Sequence, residues 1–327
     1  MRGVKIIGTG HYLPPRVVTN HDLSKRLDTS DEWIKARTGI SERRVVDEGS
    51  STATLGARAV SNACADAGIE PGELDGIIVA TCSPDTIFPA TACWVQNELG
   101  IGGMPAFDVT AGCCGYLFAL DVAVNWLAAG RASKLAVVCA EVFSKHLNWD
   151  DRRTCVLFGD GAGAAILTPG EDTDSGLLSA KWGSDGGLAD ILKLPAGGTR
   201  MPATHATIDE SLHMVHMEGA KVFKHAVRAM TGGTLEVMAE AQVEASEVDV
   251  FIPHQANMRI MEATRERVGI DPANVFSVLD RYGNLGAASI PVAISEARAA
   301  GKLKDGDMLA MTACGTGMSW ASALMRW

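Results

Sequence analysis

The second half of the chain repeats the order of segments in the first half, and this duplication limits the fold more than any other feature. The segment "ELDGIIVATC" at 73–82 corresponds to "EVDVFIPHQ" at 247–255. Likewise, "FDVTAGCCGYLFALDVAVNWLAAG" at 107–130 corresponds to "FSVLDRYGNLGAASIPVAISEARAAG" at 276–301. Because this order is preserved within 327 residues, we expect two similar halves fused head to tail.

The join between the halves is expected near "TPGEDTDSG" at 168–176, where proline, glycine and acidic residues interrupt the apolar pattern. The predicted domains are therefore residues 1–172 and 173–327. Corresponding segments of a pseudo-dimer meet near the axis between its halves. The turn "TAGCCG" at 110–115 is thus expected to face the turn "YGNLGAAS" at 282–289.

Short apolar runs alternate with amphipathic stretches along both halves. Runs at 76–82, 135–141 and 163–168 have the length and composition of buried strands, and the stretch 51–68 has the pattern of a helix. This alternation predicts an α/β protein whose sheets are covered by helices on both faces.

Composition and charge exclude several classes of protein. The formal net charge of −10 argues against a general nucleic-acid binder, which depends on neutralising phosphates. No run of about 18 apolar residues is present, so we expect no membrane span and a cytoplasmic location. The eight cysteines lack C-x-x-C pairs and zinc-finger spacing, and most are expected to be buried, reduced thiols.

Two adjacent cysteines lie in the turn that follows the predicted strand "AFDV". If a helix begins here, Cys113 lies at its amino terminus, where backbone N–H groups and the helix dipole lower the pKa of a thiol. Cys114 is about 100° further round the helix and points elsewhere. A buried, chemically inert cysteine is the commoner alternative, so a nucleophile needs partners.

Two polar residues of the second half are candidate partners for the thiol. His254 follows the strand "VDVFIP" and is expected to open a helix, which places it at the carboxyl end of a strand. Asn284 lies between glycines at the matching point of the duplication, although asparagine beside glycine usually makes only a turn. His213 and His216 have metal-like spacing but no accompanying carboxylates, so a strand or loop role is favoured and no metal site is predicted.

The chain resembles the β-ketoacyl-acyl-carrier-protein synthase III family of the thiolase superfamily nearly end to end. The motifs that carry the resemblance are "IIGTGHYLP", "TSDEWIKARTGI", "FDVTAGCCG", "FGDGAGAA", "IPHQANMRI", "GNLGAAS" and "GTGMSWASAL". The resemblance implies a thiolase-like duplicated α/β/α/β/α layered fold with a mixed five-stranded sheet in each half. It puts the nucleophilic cysteine in residues 1–172 and the catalytic histidine and asparagine in 173–327.

The resemblance implies a ping-pong decarboxylative Claisen condensation that initiates fatty acid biosynthesis. Cys113 takes the acyl group from an acyl-coenzyme A, either acetyl or a somewhat larger starter. His254 and Asn284 then stabilise the enolate formed when malonyl-acyl-carrier-protein loses carbon dioxide. The oxyanion hole is assigned to the backbone N–H groups of Cys113 and Thr316.

Binding roles also follow from the resemblance. Trp33 and Arg152 match the pair that stacks on the adenine of coenzyme A, and Arg37 matches a phosphate contact. Coenzyme A enters as a substrate thioester, and no permanently bound cofactor is expected. Candidates for docking an acidic acyl carrier protein are Lys221, Lys224, Arg259, Arg265 and Arg267, with Arg259 matching the family best.

The acyl pocket is assigned to Phe88, Cys314 and Met318. Phe88 matches an aromatic residue that closes the pocket of a partner subunit, so the resemblance implies a homodimer.

Several positions depart from the family pattern. Cys314 replaces a common phenylalanine, Leu285 and Gly286 replace threonine and serine, and Thr316 replaces a glycine. The change at Cys314 favours a larger starter unless Trp94, Trp149 or Met318 fills the space. Thr316 is expected to be tolerated if its φ is negative.

Other functions remain open at this point. A condensing enzyme or acyltransferase of secondary metabolism would use bulkier or aromatic acyl-coenzyme A. A non-catalytic scaffold would have no need of the cysteine, histidine and asparagine together. A thioester hydrolase fits less well because the site should exclude water, and a thiolase proper would use a second cysteine as base.

Overall fold

The computed structural model describes residues 3–170 and 175–327. The strands are β1 (Val4–Tyr12), β2 (Arg16–Thr19), β3 (Glu42–Val45), β4 (Gly76–Ala80), β5 (Ala106–Val109), β6 (Leu135–Val142), β7 (Asp160–Pro169), β8 (Gly176–Ser184), β9 (Leu192–Lys193), β10 (His216–Met217), β11 (Val250–Pro253), β12 (Met308–Gly315) and β13 (Ser319–Arg326). The helices are α1 (Asn20–Ser24), α2 (Asp31–Thr38), α3 (Thr52–Ala67), α4 (Thr91–Glu98), α5 (Gly115–Ala128), α6 (His205–Asp209), α7 (Gly219–Ala241), α8 (Met258–Val268), α9 (Leu279–Tyr282) and α10 (Ser289–Ala299).

The sheet of the first half has five strands in the order β1-β7-β6-β4-β5. Strand β4 is parallel to β5 and β6, whereas β7 is antiparallel to both β1 and β6. Every residue of β4 and β6 is buried, because helices cover both faces of this sheet. The strands predicted from the apolar runs are confirmed, with β7 beginning three residues earlier than expected, at Asp160.

The sheet of the second half differs from the prediction of five strands. It has four strands in the described part of the chain, in the order β11-β12-β13-β8. The fifth position is reduced to one bridge between Val275 and Phe251. Residues 275–278 separate the turn Pro272–Asn274 from helix α9, and Val278 has already left the extended conformation, with ψ 8°.

Helices and sheets alternate in five layers, which confirms the thiolase-like fold. Helices α5 and α10 lie between the two sheets and share one core cluster with strands of both. Helices α3 and α4 cover the outer face of the first sheet, and α7 covers that of the second. The predicted helix at 51–68 is α3, with Ser51 as its N-cap and Gly68, at φ 69°, as its C-cap.

The two turns that the duplication predicts to face each other are in contact. A Cβ atom built on Gly115 would lie 3.2 Å from Cβ of Ala287. The predicted boundary between residues 172 and 173 lies outside the described residues. None of the helices in the described ranges is both long and apolar enough to cross a membrane.

Candidate active site

Cys113 lies in a single 3₁₀ turn, Gly112–Cys114, and not in the first turn of the long helix. Helix α5 begins at Gly115, two residues after the predicted start, and the 3₁₀ turn leads directly into its amino terminus. Cys113 is buried but lines two cavities. Cys114 turns into the core, where its thiol lies 3.2 Å from the carbonyl oxygen of Ser319. Of the two adjacent cysteines, Cys113 alone lines these cavities.

The expectation of a lowered pKa for the Cys113 thiol is not met. Burial, followed by the nearby carboxylate of Glu141, raises the pKa of Cys113 above its usual value. Desolvation therefore outweighs the favourable backbone amides of the turn. The resting side chain is a neutral thiol, which must lose its proton as it attacks.

A small cavity of about 130 Å³ brings together the three residues that the resemblance assigns to catalysis. Cys113, His254 and Asn284 all line it, together with Cys314 and Met318. A second cavity, of about 300 Å³, also reaches Cys113 and is lined by Thr316. Cys113 therefore lines both cavities, the smaller of which is called the catalytic cavity below.

His254 directly follows β11, and its backbone N–H donates to the carbonyl oxygen of Thr312 at 2.7 Å. The helix predicted to open at this residue starts later, at Met258, after a loop capped by Asn257. Burial lowers the pKa of His254 to about 4, so the imidazole is neutral at physiological pH. Nδ1 is buried and has no hydrogen-bond partner among the described residues, which suits the tautomer with its proton on Nε2.

Asn284 is held by backbone bonds to the first half of the chain. Its N–H donates to the carbonyl oxygen of Leu157 at 2.8 Å, and its own carbonyl oxygen accepts from the N–H of Gly159 at 3.1 Å. The side-chain Oδ1 accepts from the N–H of Gly286 at 2.8 Å. The Nδ2 group is then the donor left for the cavity.

The loops that carry Cys113 and Thr316 pack backbone against backbone. A Cβ atom on Gly112 would lie 2.5 Å from the N atom of Thr316, and one on Gly315 would lie 2.3 Å from the N atom of Cys113. The left-handed conformation in the second loop falls on Gly317, at φ 102°, and Thr316 has no positive φ. Threonine is therefore compatible with the position assigned to the oxyanion hole.

The substitution Gly112→Ala is expected to lower the free energy of unfolding by about 2 kcal/mol or more. Gly112 has φ 61°, and the added methyl group would meet backbone atoms that cannot move aside. Urea denaturation measures the effect. Gly102→Ala is the control, because Gly102 has open space around it and no positive φ. Equal stability of the two variants would contradict this account of the loops.

The residues assigned to coenzyme A binding form one cluster on and beside α2. The guanidinium of Arg37 lies 4.8 Å from the centroid of the Trp33 ring, and that of Arg152 lies 5.1 Å from it. Arg152 also donates to the backbone carbonyl of Asp28. A flat aromatic base is a suitable third member of such a stack.

The basic residues assigned to carrier-protein docking lie at the start of α7 and on α8. The guanidinium of Arg259 lies 5.6 Å from the ring centroid of Phe223, which itself lines the catalytic cavity. Lys221 and Lys224 occupy the first turns of α7, with Lys221 paired to Glu218 at 2.7 Å. Nη1 of Arg265 donates a hydrogen bond to the carbonyl oxygen of Ile270 at 3.0 Å. Arg265 and Arg267 both lie in the last turn of α8.

Two of the three residues assigned to the acyl pocket line the catalytic cavity. Cys314 and Met318 line the catalytic cavity, whereas Phe88 is 83% exposed and lies outside it within a single chain. Trp94 and Trp149 do not line the cavity either, so of the three proposed space-filling side chains only Met318 is in place.

Sequence reasoning missed Glu141, a fully buried carboxyl group next to the site. Burial raises its pKa to about 7, while hydrogen bonds from Ser83 and Cys82 oppose the shift. The available signal was a single glutamate within the apolar run "LAVVCAEV". Neither His213 nor His216 lines a cavity that reaches Cys113. Within the described residues, neither belongs to a group of side chains that could hold a metal ion.

Comparison with known proteins shows the family to which the chain is related. Family models for 3-oxoacyl-[acyl-carrier-protein] synthase III match residues 107–186, and those for its C-terminal part match residues 238–327. The β-ketoacyl-[acyl-carrier-protein] synthase III of Caldanaerobacter subterraneus is 46% identical over 98% of this chain and 97% of its own length.

Solved structures show the same likeness. The 3-oxoacyl-[acyl-carrier-protein] synthase III of Aquifex aeolicus is 44% identical, with a TM-score of 0.91 over 99% of this chain and 100% of its own. A priming β-ketosynthase of a polyketide pathway is 29% identical, with a TM-score of 0.92 over 99% of this chain and 96% of its own. The chain belongs to the β-ketoacyl-[acyl-carrier-protein] synthase III family.

Proposed function

We propose that this protein condenses an acyl-coenzyme A with malonyl-acyl-carrier-protein and so initiates fatty acid biosynthesis. The observation that carries the proposal is the common cavity of Cys113, His254 and Asn284. A nucleophile and two neutral hydrogen-bond donors at one buried point suit a reaction that passes through an acyl-enzyme and an enolate.

The first half-reaction is acyl transfer to Cys113. The sulfur attacks the thioester carbonyl, and the resulting oxyanion accepts hydrogen bonds from the backbone N–H groups of Cys113 and Thr316. The bond to the sulfur of coenzyme A then breaks. Coenzyme A leaves as a thiol after taking up the proton lost by Cys113.

The second half-reaction joins two carbon atoms. The carbon–carbon bond to the carboxylate of the malonyl group breaks, carbon dioxide leaves, and the electron pair moves onto the thioester as an enolate. Nε2–H of His254 and Nδ2–H of Asn284 donate to the enolate oxygen. The carbanion attacks the acyl carbonyl, and Cys113 departs as a thiolate and takes up a proton from solvent. The neutral imidazole of His254 carries one ring proton, and in the Nε2 tautomer that proton lies on the nitrogen that donates.

Arg152→Ala is expected to raise KM for acyl-coenzyme A about tenfold with little change in kcat, because the stack on Trp33 touches only the distant base. Steady-state kinetics with acetyl-coenzyme A measures the effect. Arg153→Ala is the matched control, since Arg153 pairs with Asp151 and is largely exposed. Equal KM values for both variants would remove Arg152 from the binding site.

The assembly and location of the protein belong to the same proposal. The exposed Ile87 and Phe88 support a homodimer in which Phe88 closes the pocket of the other subunit. The basic residues Lys221, Lys224 and Arg259 support docking of an acidic carrier protein beside the cavity. Eight free cysteines suit the reducing cytoplasm.

The starter acyl group is proposed to be small. Met318 lines the cavity beside Cys314, and the space of about 130 Å³ suits acetyl or a short-chain group. The likeness to a polyketide priming ketosynthase favours a secondary-metabolic condensing enzyme as the second candidate.

Condensation assays with malonyl-acyl-carrier-protein and a series of acyl-coenzyme A thioesters test the proposed function. We expect the highest kcat/KM with acetyl or a short-chain thioester. Activity only with long or aromatic thioesters would support the second candidate. No condensation with any thioester would refute the proposed function.

A further inference from the structure

Glu141 links the two halves of the chain beside the catalytic cavity. It lies near the end of β6, and its Oε2 accepts from Oγ of Ser83 at 2.7 Å. The backbone N–H of Cys82 donates to both carboxylate oxygens at 3.1 Å. On the other side, Oε1 accepts from the backbone N–H of Ala287, in the second half, at 3.4 Å.

The amide that contacts Glu141 directly follows the amide that orients the side chain of Asn284. The N–H of Gly286 donates to Oδ1 of Asn284, and the next N–H along the chain, that of Ala287, donates to Glu141. Two consecutive amides of the 3₁₀ turn Gly286–Ala288 therefore join the carboxamide of Asn284 to the buried carboxylate.

The turn Gly286–Ala288 is packed directly against Glu141 and its neighbour Phe143. Gly286 has φ 55°, and a Cβ atom there would lie 3.0 Å from Oε1 of Glu141 and 2.5 Å from the Phe143 ring. The carboxylate is itself fixed, because Oγ of Ser83 also accepts from the N–H of Val142 at 2.8 Å. Glu141 thus restricts the movement of the turn Gly286–Ala288.

The orientation of the Asn284 carboxamide matters for the chemistry. With Oδ1 on the N–H of Gly286, the Nδ2 donor is free for the enolate oxygen. The reverse orientation would place Nδ2 against another donor and Oδ1 against the developing negative charge, and both contacts are repulsive.

We infer that Glu141 is a positioning residue that holds the turn Gly286–Ala288 and thereby keeps Nδ2 of Asn284 directed at the enolate. This inference rests on the proposed function, in which Asn284 acts in decarboxylation and not in acyl transfer. Glu141 does not contact the reacting atoms. Its loss should therefore slow decarboxylation but not acylation, because the carboxylate raises the pKa of the Cys113 thiol and its removal does not hinder the attack.

The test compares two half-reactions in the variant Glu141→Ala. Release of labelled carbon dioxide from malonyl-acyl-carrier-protein is expected to slow about 10- to 100-fold, because a donor displaced by a fraction of an ångström stabilises the enolate poorly. Acylation of Cys113 by acetyl-coenzyme A, followed by intact mass, is expected to stay within about threefold of the wild type.

Two further variants serve as references for the same cluster. Glu141→Gln should keep decarboxylation within about threefold of the wild type, because its amide oxygen still accepts from Ala287. Ser83→Ala removes one donor to the same carboxylate, and its effect should be similarly small because Oγ1 of Thr81 and the N–H of Cys82 still donate to Glu141. If Glu141→Ala does not fold, Glu141→Asp replaces it, since the shorter side chain cannot reach Ser83 and Ala287 together.

A double-mutant cycle with Asn284→Ala separates positioning from general destabilisation. In the Asn284→Ala background, Glu141→Ala should cause no further loss of decarboxylation. An equal loss in both backgrounds, a parallel fall of both half-reactions, or wild-type decarboxylation in Glu141→Ala would overturn the inference. Failure of the wild-type protein to acylate Cys113 or to decarboxylate the malonyl group would instead refute the proposed function.

Discussion

Cys113→Ala is expected to abolish acylation and to lower the rate of condensation by about 10⁴-fold or more, because the substitution removes the sulfur atom that carries the acyl group. Cys314 also lines this cavity, but only Cys113 lines the larger cavity with Thr316 as well. Loss of activity in Cys113→Ala should occur without loss of structure, since the substitution removes a single buried sulfur atom.

Cys114→Ala provides the matched control for this prediction. Its thiol is fully buried against the carbonyl oxygen of Ser319, so the substitution is expected to affect stability more than acylation. Radiolabelled acetyl-coenzyme A measures acylation of both variants, and thermal unfolding measures their stability. Stable labelling of Cys113→Ala at wild-type levels would disprove the assigned nucleophile.

Asn284→Ala and His254→Ala are each expected to slow decarboxylation of malonyl-acyl-carrier-protein about 10²- to 10³-fold, the usual cost of losing one oxyanion donor. Acylation of Cys113 should change much less, because the oxyanion of that step is held by backbone N–H groups. Release of carbon dioxide and the intact mass of the acyl-enzyme measure the two steps separately.

Asn284→Asp is the sharper form of this experiment. Aspartate has nearly the same size but replaces the Nδ2 donor with an oxygen, so decarboxylation should fall at least as far as in Asn284→Ala. Wild-type decarboxylation in Asn284→Asp would show that the carboxamide acts through its shape and not as a donor.

The general architecture follows from the sequence because it depends on repeated patterns. The duplicated segments predict two like halves, and period and composition predict the strands β4, β6 and β7 and the helix α3. The missing fifth strand of the second sheet depends on a few turn residues between Pro272 and Leu279. Hydrophobic periodicity does not predict whether so short a segment forms a strand.

The local chemistry was harder to predict because it depends on distant contacts. The pKa of Cys113 was expected to fall from its place at a helix terminus, but the degree of burial and the nearness of Glu141 come from the tertiary fold. Glu141 and Ala287 are 146 positions apart, and their contact joins segments from different halves. No local pattern identifies such a pair.

The most direct test of the central claim is peptide mapping by mass spectrometry in a single turnover. After acetyl-coenzyme A is added, the account predicts one acetyl group on the peptide that contains Cys113. When malonyl-acyl-carrier-protein follows, this acetyl group should disappear from the enzyme and reappear within a β-ketoacyl carrier protein. An acetyl group on another residue, or one that malonyl-acyl-carrier-protein does not remove, would contradict the account.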